Sequence, residues 1–275
     1  MSSLRAVFLD FDGTLAEGGV VPPAHVEAVR RARGRARVLL CTGRSKAMLG
    51  QIWPIGFDGL VASAGGYVEV DGQVLLDRRF PSPLAARTVE VLDAHQVAYL
   101  LEAPDKVLGP PGVIGRIAQR LERGGIDPGA LLPGLGVQES GELRSASFAK
   151  VSCYDSPVPL ERLVTEIGAG VATIESSLPG GAHDGGEIYL PDIHKSLGAD
   201  LAARAMGVPP CEIMAVGDGM NDLELLEFAG LGVAIEGSDP RLRAVAQRLA
   251  PPPGRNGLAT LFAELGLTDT AAPEC

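Results

Sequence analysis

Hydrophobic and polar positions in the first 66 residues alternate between two patterns. Short, mainly apolar runs are typical of strands buried on both faces, and they cover Ala6–Leu9, Arg37–Cys41 and Gly59–Ala62. Between the first two runs, a helical pattern covers 23–33 with Pro23 at its start, and a further helix is predicted from Ser45. Strands that alternate with helices favour a parallel sheet covered by helices on both faces.

The pattern changes in the middle of the chain. Two strand-like segments flank Asp71-Gly72 and predict a β-hairpin over 67–76, because Asp-Gly is a preferred two-residue hairpin turn. From about residue 81 to 186, helical patterns are interrupted by Gly/Pro-rich breaks such as the one at 109–112. We interpret this stretch as an inserted domain.

Alternation of helices and strands resumes after residue 187. The predicted helices are 196–206, 223–228 and 258–265, and the predicted strands are 213–216 and 231–235. We therefore predict an α/β fold with a parallel-sheet core and one inserted domain. The predicted bounds are 1–80 for the first part of the core, 81–186 for the insertion and 187–275 for the second part of the core.

The composition narrows the class of protein. Of the 275 residues, 46% are hydrophobic, which suffices for a packed core and argues against a disordered chain. The 34 acidic residues outnumber the 24 basic ones and give a formal net charge of −10, and no long Lys/Arg run is present. This pattern argues against a nucleic-acid-binding protein, which usually carries a basic patch.

No segment of the sequence indicates secretion, a membrane or a zinc site. The N-terminal apolar run is interrupted by Asp10 and Asp12, unlike a signal peptide, and no apolar run reaches the length of a membrane span. The four cysteines show neither a CxxC pair nor a His/Cys spacing typical of zinc. We therefore expect a cytoplasmic protein with reduced thiols.

The basic residues of the insertion and the histidines give further expectations. Eight basic side chains of the insertion are expected mainly on a solvated face, where one or two could contact an anionic substrate. They are Arg78, Arg79, Lys106, Arg116, Arg120, Arg123, Arg144 and Lys150. His25 is expected at the surface. His194, which adjoins Lys195, is expected in a structural or substrate-facing position.

Chemically capable side chains follow three of the predicted strands. Asp10 and Asp12 follow the first strand, Thr42 follows the second, and Asp218 follows the strand at 213–216. Ligands of open α/β folds bind at the carboxyl ends of parallel strands, which share one edge of the sheet. We therefore expect these side chains to meet at that edge.

These residue types suit phosphoryl transfer. The carboxylates of Asp10 and Asp218 are hard oxygen ligands that favour Mg²⁺. Thr42 can donate a hydrogen bond to a phosphate oxygen, and Lys195 can place a positive charge beside it. Asp10 can attack phosphorus, while Asp12 can protonate the leaving oxygen and later take a proton from the attacking water.

The chain resembles the haloacid dehalogenase superfamily in four motifs that occur in the expected order. The matching motifs are Asp10-Phe11-Asp12-Gly13-Thr14, Thr42-Gly43-Arg44, Lys195 and Gly217-Asp218-Gly219-Met220-Asn221-Asp222. The insertion between the second and third motifs resembles the large α/β cap domain of the Cof-type branch. The resemblance covers nearly the whole chain and implies a Rossmann-like core with an inserted α/β cap.

The resemblance also implies an activity, that of a magnesium-dependent phosphatase acting on a small phosphorylated metabolite. It implies that Asp10 is the nucleophile and Asp12 the acid–base residue. It implies a metal site formed by Asp10, the backbone carbonyl of Asp12, Asp218 and Asp222, with Asp222 supporting either the metal or Lys195. The phosphate-binding residues that it implies are Thr42, Gly43, Arg44, Lys195 and Asn221.

Two segments depart from the family pattern. The family usually has Asn before Gly near the end of the third strand, whereas residues 62–66 of this chain are Ala-Ser-Ala-Gly-Gly. It often has Gly-Asn-Ala after the last core strand, whereas residues 236–238 are Glu-Gly-Ser. The resemblance therefore implies nothing about substrate contacts in these two segments.

Three alternatives share parts of the pattern. A phosphomutase of the same superfamily would return phosphate to its substrate and accumulate an isomer. A non-catalytic, ligand-binding regulator would keep the fold without turnover, although this chain has both Asp10 and Asp12. A cation-pumping ATPase is disfavoured, because such pumps carry Thr at the position of Asp12 and need membrane helices.

Overall fold

The computed structural model describes residues 4–175 and 185–268. These residues form two compact units. The core unit comprises 4–44, 52–76 and 194–268, and the insertion unit comprises 45–51, 77–175 and 185–193. That the two units act as a catalytic core and a cap stays a prediction.

Strands and helices alternate along both parts of the core unit. Across the described residues the strands are β1 (Ala6–Leu9), β2 (Arg37–Cys41), β3 (Gly59–Ala62), β4 (Tyr67–Val70), β5 (Gln73–Asp77), β6 (Ala98–Glu102), β7 (Val107–Gly109), β8 (Val137–Glu139), β9 (Lys150–Asp155), β10 (Ala172–Glu175), β11 (Gly186–Tyr189), β12 (Ile213–Gly217), β13 (Leu231–Ile235) and β14 (Arg248–Ala250). The helices are α1 (Pro23–Ala32), α2 (Ser82–Ala94), α3 (Val113–Arg123), α4 (Pro128–Leu135), α5 (Leu160–Ile167), α6 (Lys195–Met206), α7 (Leu223–Phe228), α8 (Pro240–Val245) and α9 (Gly257–Glu264).

The core unit is built on an eight-stranded sheet. Its strand order is β14-β13-β12-β1-β2-β3-β4-β5. The strands from β14 to β3 in this order run parallel, and β4 is antiparallel to β3. Asp71 and Gly72, between β4 and β5, both have positive φ, as a two-residue Asp-Gly hairpin turn requires. The predicted α/β fold with a parallel-sheet core is confirmed.

The central strand β1 sets the position of its neighbours. Leu9 pairs with Leu40 of β2 and with Val216 of β12, so the three strands end side by side. The residues that follow these pairs therefore lie at one edge of the sheet, and they are Asp10, Cys41, Thr42, Gly217 and Asp218.

Burial on both faces explains the apolar runs of the core strands. Every residue of β1 and β12 is buried. On one face of the sheet, Phe8 lies in an apolar cluster with Ala199 of α6 and Leu225 of α7. This packing fixes the start of α6, where Lys195 lies, and the start of α7, which Asp222 directly precedes, relative to the end of β1.

The prediction of a helix that begins at Ser45 is wrong. Two short 3₁₀ turns, Lys46–Leu49 and Trp53–Ile55, occupy this region instead. Gly50 lies between them and Pro54 lies within the second, and both residues oppose a continuous α-helix because glycine costs backbone entropy and proline removes a donor.

The expectation of a surface position for His25 is also wrong, because the side chain is fully buried. Its Nδ1–H donates to the carbonyl oxygen of Leu15 at 2.9 Å, and its Nε2 accepts the N–H of Leu258 at 3.1 Å. Both ring nitrogens therefore have partners. The spacing of His25 from Ala28, Val29 and Ala32 places it on the buried face of α1, and this helical spacing is the signal that sequence analysis missed.

The insertion unit has a second sheet, with strand order β10-β11-β9-β6-β7-β8. One face packs against α2 and α5, and the other packs against α3 and α4. Lys150, expected on a solvated face, is buried instead, and its Nζ donates to Glu187 Oε1 at 2.7 Å and lies 3.6 Å from Glu102 Oε2. Within the described residues of both units, every helix is too short or too polar to cross a bilayer.

Candidate active site

A buried lysine joins two carboxylates at the edge of the core sheet. Lys195 begins α6, and its side chain is only 1% exposed. Its Nζ donates to Asp10 Oδ1 at 2.6 Å and to Asp222 Oδ1 at 2.6 Å. Asp10 follows β1, whereas Asp222 directly precedes α7, so three separate elements bring these groups together.

The surroundings shift the pKa values of these groups in definite directions. Burial raises the pKa of Asp10 well above its ordinary value, and the charges of Asp222 and Asp218 add to this effect while Lys195 opposes it. Burial alone would lower the pKa of Lys195, but the carboxylates of Asp10 and Asp222 raise it above the ordinary value. The lysine therefore stays charged, and the acidic groups around it repel one another.

Three carboxylates form a cluster that can hold a cation. Asp10, Asp218 and Asp222 each offer an oxygen, and these oxygens all lie within 4.8 Å of one another. Thr14 Oγ1 donates to Asp218 Oδ1 at 3.1 Å. Asp222 Oδ2 accepts the backbone N–H groups of Asp218 at 3.2 Å and Gly219 at 3.1 Å. Hard carboxylate oxygens held in this way suit a divalent metal ion.

The charges near the cluster agree with a divalent cation. Asp10, Asp12, Asp218 and Asp222 contribute four negative charges when ionised, against the two positive charges of Lys195 and Arg44. The excess of two negative charges equals the charge of one divalent ion. Such an ion would offset the repulsion among these carboxylates, which adds to the effect of burial in raising the pKa of Asp10.

Two glycines make room for the carboxylates. Gly13 has a φ of +82°, and a Cβ at this position would lie 2.1 Å from Asp218 Oδ2. A Cβ at Gly217 would lie 2.3 Å from Asp222 Cγ. Both glycines lie in the sequence motifs, but the motifs do not predict these close approaches. In the case of Gly13, the approach depends on residues more than 200 positions apart.

Arg44 contacts a different carboxylate. Its Nε donates to Asp12 Oδ2 at 2.7 Å, and its Nη2 donates to Asp12 Oδ1 at 2.6 Å. The Asp12 side chain is therefore paired with Arg44 and is not part of the three-carboxylate cluster. A metal contact from the backbone carbonyl of Asp12, and a phosphate contact from Arg44, stay predictions.

The remaining predicted phosphate-binding residues lie at the same edge. Thr42 is buried, and its Oγ1 accepts the backbone N–H of Arg44 at 3.2 Å. A Cβ at Gly43 would lie 3.7 Å from Asn221 Nδ2, which places the Asn221 side chain beside the Thr42–Arg44 turn. The structure thus brings both halves of the core unit together around this turn.

A strained turn that sequence analysis did not predict follows β3. Ser63 and Ala64 have φ values of 50° and 55°, unusual for residues other than glycine. Their N–H groups donate to the carbonyl oxygens of Arg44 at 2.9 Å and Thr42 at 3.1 Å. A Cβ at Gly65 would lie 2.2 Å from the carbonyl oxygen of His194. This turn therefore buttresses the Thr42–Arg44 segment, in the region where the chain departs from the family pattern.

Relatives of the chain include proteins named as phosphatases. A putative phosphatase, YkrA of Bacillus subtilis (strain 168), is 25% identical over 279 residues, which cover 96% of this chain and 98% of that protein. The endoribonuclease YBEY of Arabidopsis thaliana chloroplasts is 24% identical over 270 residues. The chain spans only 45% of the length of that relative, and 92% of the chain is matched.

Solved structures show the same fold. The HAD subclass IIB sugar phosphatase BT4131 superposes with a TM-score of 0.74 at 19% identity, over 96% of this chain and 99% of that one. The sequence profile of haloacid dehalogenase-like hydrolases matches residues 7–262, a range that includes all the site residues described above. The chain belongs to the haloacid dehalogenase-like hydrolase family.

Proposed function

We propose that this protein is a magnesium-dependent phosphatase that hydrolyses a small phosphorylated metabolite, such as a sugar phosphate or a similar phosphomonoester. The observation that carries the proposal is the buried carboxylate of Asp10, which lies beside the Lys195 ammonium and within 4.8 Å of carboxylate oxygens of Asp218 and Asp222. This arrangement combines a nucleophile with the positive charge and hard oxygen ligands that phosphoryl transfer needs.

The first step forms an aspartyl-phosphate. A carboxylate oxygen of Asp10 attacks phosphorus, the bond from phosphorus to the leaving oxygen breaks, and the leaving oxygen takes a proton from Asp12. In the second step, water attacks the aspartyl-phosphate and gives a proton to Asp12, while the bond between Asp10 and phosphorus breaks. The products are an alcohol and inorganic phosphate, and both aspartates return to their initial states.

The other residues bind and orient the phosphoryl group. Thr42, the Gly43–Arg44 segment, Lys195 and Asn221 are proposed to supply hydrogen bonds and positive charge to its oxygens. Mg²⁺ would be held by Asp10, Asp218 and the backbone carbonyl of Asp12, with Asp222 in support, and it would neutralise charge on the phosphoryl oxygens. The donor set fits this ion because every proposed ligand is an oxygen.

The choice of substrate is proposed to follow the family. The relative YkrA, named as a putative phosphatase, and the structurally similar sugar phosphatase BT4131 support a phosphomonoester substrate. The insertion unit is proposed to act as the cap that selects the leaving group. We propose that the chain divides by function into a catalytic core, formed by residues 1–80 and 187–275, and a cap, formed by residues 81–186.

The experiment that tests this function measures phosphate release. A panel containing 4-nitrophenyl phosphate, glucose 6-phosphate, glycerol 3-phosphate and phosphoglycolate is incubated with wild type and Asp10→Asn, with Mg²⁺ or with EDTA. We expect Mg²⁺-dependent release by the wild type that Asp10→Asn abolishes. Asp200→Asn, which removes a partly exposed carboxylate paired with Arg204 on α6, serves as the matched control and should keep full activity.

Other outcomes would contradict the proposal in different ways. Release that survives Asp10→Asn would exclude an aspartyl-phosphate on this residue. An isomer that accumulates without inorganic phosphate would identify a phosphomutase. Ligand binding without turnover of any ester would identify a regulator that has kept the fold.

A further inference from the structure

Asp12 and Arg44 form a bidentate ion pair in the core unit. Nε and Nη2 of Arg44 donate to the two different oxygens of Asp12, at 2.7 Å and 2.6 Å. Two parallel bonds of this kind fix the plane of the carboxylate as well as its distance, which a single lysine ammonium cannot do. The Asp12 side chain is 54% exposed. Without the ion pair, it would therefore be free to rotate into solvent.

Arg44 is itself held from several sides. Its Cζ lies 4.7 Å from the centre of the Phe11 ring, which is buried, so the guanidinium stacks on an aromatic face. Its backbone N–H donates to Thr42 Oγ1 at 3.2 Å, and its carbonyl oxygen accepts the N–H of Ser63 at 2.9 Å. The guanidinium thus provides a fixed support for Asp12.

The two aspartates of the first motif have separate cationic partners. Asp10 is bound by the buried Lys195, whereas Asp12 is bound by the partly exposed Arg44. Removing Arg44 therefore leaves the Lys195 contacts to Asp10 and Asp222 intact. Loss of Arg44 should therefore alter the orientation of Asp12, the proton-transfer group, without altering the position of Asp10, the nucleophile.

We infer that Arg44 is a positioning residue that orients the Asp12 carboxyl group for proton transfer to the leaving oxygen, rather than serving only as a phosphate-binding residue. The inference rests on the proposed phosphatase function. It makes a distinct prediction, because a leaving group that departs without a proton does not need an oriented Asp12, whereas an alkoxide leaving group does.

The test compares two leaving groups in single-turnover reactions. Arg44→Gln and Arg44→Lys are assayed for release of nitrophenol from 4-nitrophenyl phosphate and for release of the alcohol from the alkyl phosphate in the panel that the wild type hydrolyses fastest. A positioned acid–base group contributes roughly 100- to 10,000-fold, so we expect both variants to lose about 10- to 100-fold on the alkyl ester and under about threefold on the aryl ester. Arg33→Lys, which alters a two-donor pair with Asp58 elsewhere in the core unit, is the matched control and should lose nothing.

A double-mutant cycle with Asp12→Asn provides the second measurement. If Arg44 acts through Asp12, Arg44→Gln adds no further loss on the alkyl ester in the Asp12→Asn background. Equal losses on both esters, restoration by Arg44→Lys, or a further loss in that background would show a direct role on phosphate and overturn the inference. Faster release by Arg44→Gln would show that the pair restrains Asp12, and would also overturn it.

Failure of the proposed function gives a different result. A wild type that releases product from neither ester would overturn the phosphatase function and the inference together. A wild type that hydrolyses only the aryl ester would leave phosphoryl transfer in place but overturn the role of an oriented Asp12.

Discussion

At the residue scale, the acidic cluster depends on two positions, Gly13 and Gly217, at which a side chain would overlap a carboxylate. Gly13 approaches Asp218 so closely that a methyl group would overlap the carboxylate, and its φ of +82° also disfavours other residues. Asp10 and Asp218 could be predicted from their positions directly after strands, because that rule is local, whereas Asp222 was implied only by the family resemblance. The close approaches of Gly13 and Gly217 could not, since they depend on how distant segments meet. The positive φ of Ala64 could not be predicted either, because alanine, unlike glycine, gives no local signal for that conformation.

Substitution of Gly13 tests this steric requirement. We expect Gly13→Ala to displace Asp218 and weaken divalent metal binding at least tenfold, in addition to a backbone cost of about 1–2 kcal/mol for a positive φ. Titration with Mg²⁺ monitored by calorimetry measures the affinity, and chemical denaturation measures the free energy of unfolding.

Gly19 provides the control for Gly13. Its φ is +79°, but a Cβ there would have no atom within 4 Å. Gly19→Ala should therefore show the backbone cost while keeping the metal affinity. Equal metal affinities in the two variants would refute the steric role of Gly13.

At the element scale, His25 ties α1 to the segment after β1 and to the start of α9. Its two hydrogen bonds, to Leu15 and from Leu258, require a neutral ring with the proton on Nδ1. The helical spacing around His25 could have indicated its burial, but its partners come from both ends of the chain. Helix and strand periodicity likewise predicted the main core elements, whereas the 3₁₀ turns after Ser45 reflect Gly50 and Pro54.

The burial of His25 predicts a loss of stability in mild acid. Burial lowers the pKa of His25 from its ordinary value of 6.5, although the hydrogen bond to Leu15 opposes this shift. The unfolded chain therefore binds a proton before the folded chain does. The stabilising contribution is complete above about pH 6.5 and is lost as the pH falls from there through the lower folded pKa.

The measurement compares wild type with His25→Asn. We expect the free energy of unfolding of the wild type to fall more between pH 7.5 and pH 5.5 than that of the variant, because the amide does not titrate. The difference between the two proteins removes contributions from carboxylates common to both. A parallel pH dependence in the two proteins would contradict a neutral, buried His25.

At the scale of the whole molecule, the sequence predicted the fold class better than the details of either unit. Four motifs in order and the spacing of strands were sufficient for the parallel sheet and for the edge at which the site residues meet. The insertion was harder to predict, because its polar residues pair across strands. Lys150 and Glu102 are opposite each other on β9 and β6. Because the burial of these two side chains depends on their pairing across strands, it leaves no periodic pattern of apolar residues in the sequence.

The net charge of −10 affects how the free energy of unfolding responds to Mg²⁺. An ion that binds only the folded chain stabilises it by mass action, by about 2.7 kcal/mol when its concentration is 100 times its dissociation constant. An acidic protein is also stabilised nonspecifically, because divalent cations screen the repulsion among its carboxylates. The two effects differ in their dependence on Asp218, one of the three clustered carboxylates.

We therefore expect Mg²⁺ to raise the unfolding temperature of the wild type and of Asp200→Asn, and to raise that of Asp218→Asn much less. Differential scanning calorimetry at constant ionic strength, with NaCl replacing MgCl₂, measures the specific part. Asp200→Asn removes the same charge as Asp218→Asn but leaves the cluster complete, so it isolates site binding from net charge. If the shift is as large in Asp218→Asn as in the wild type, Mg²⁺ acts through screening and the cluster is not its site.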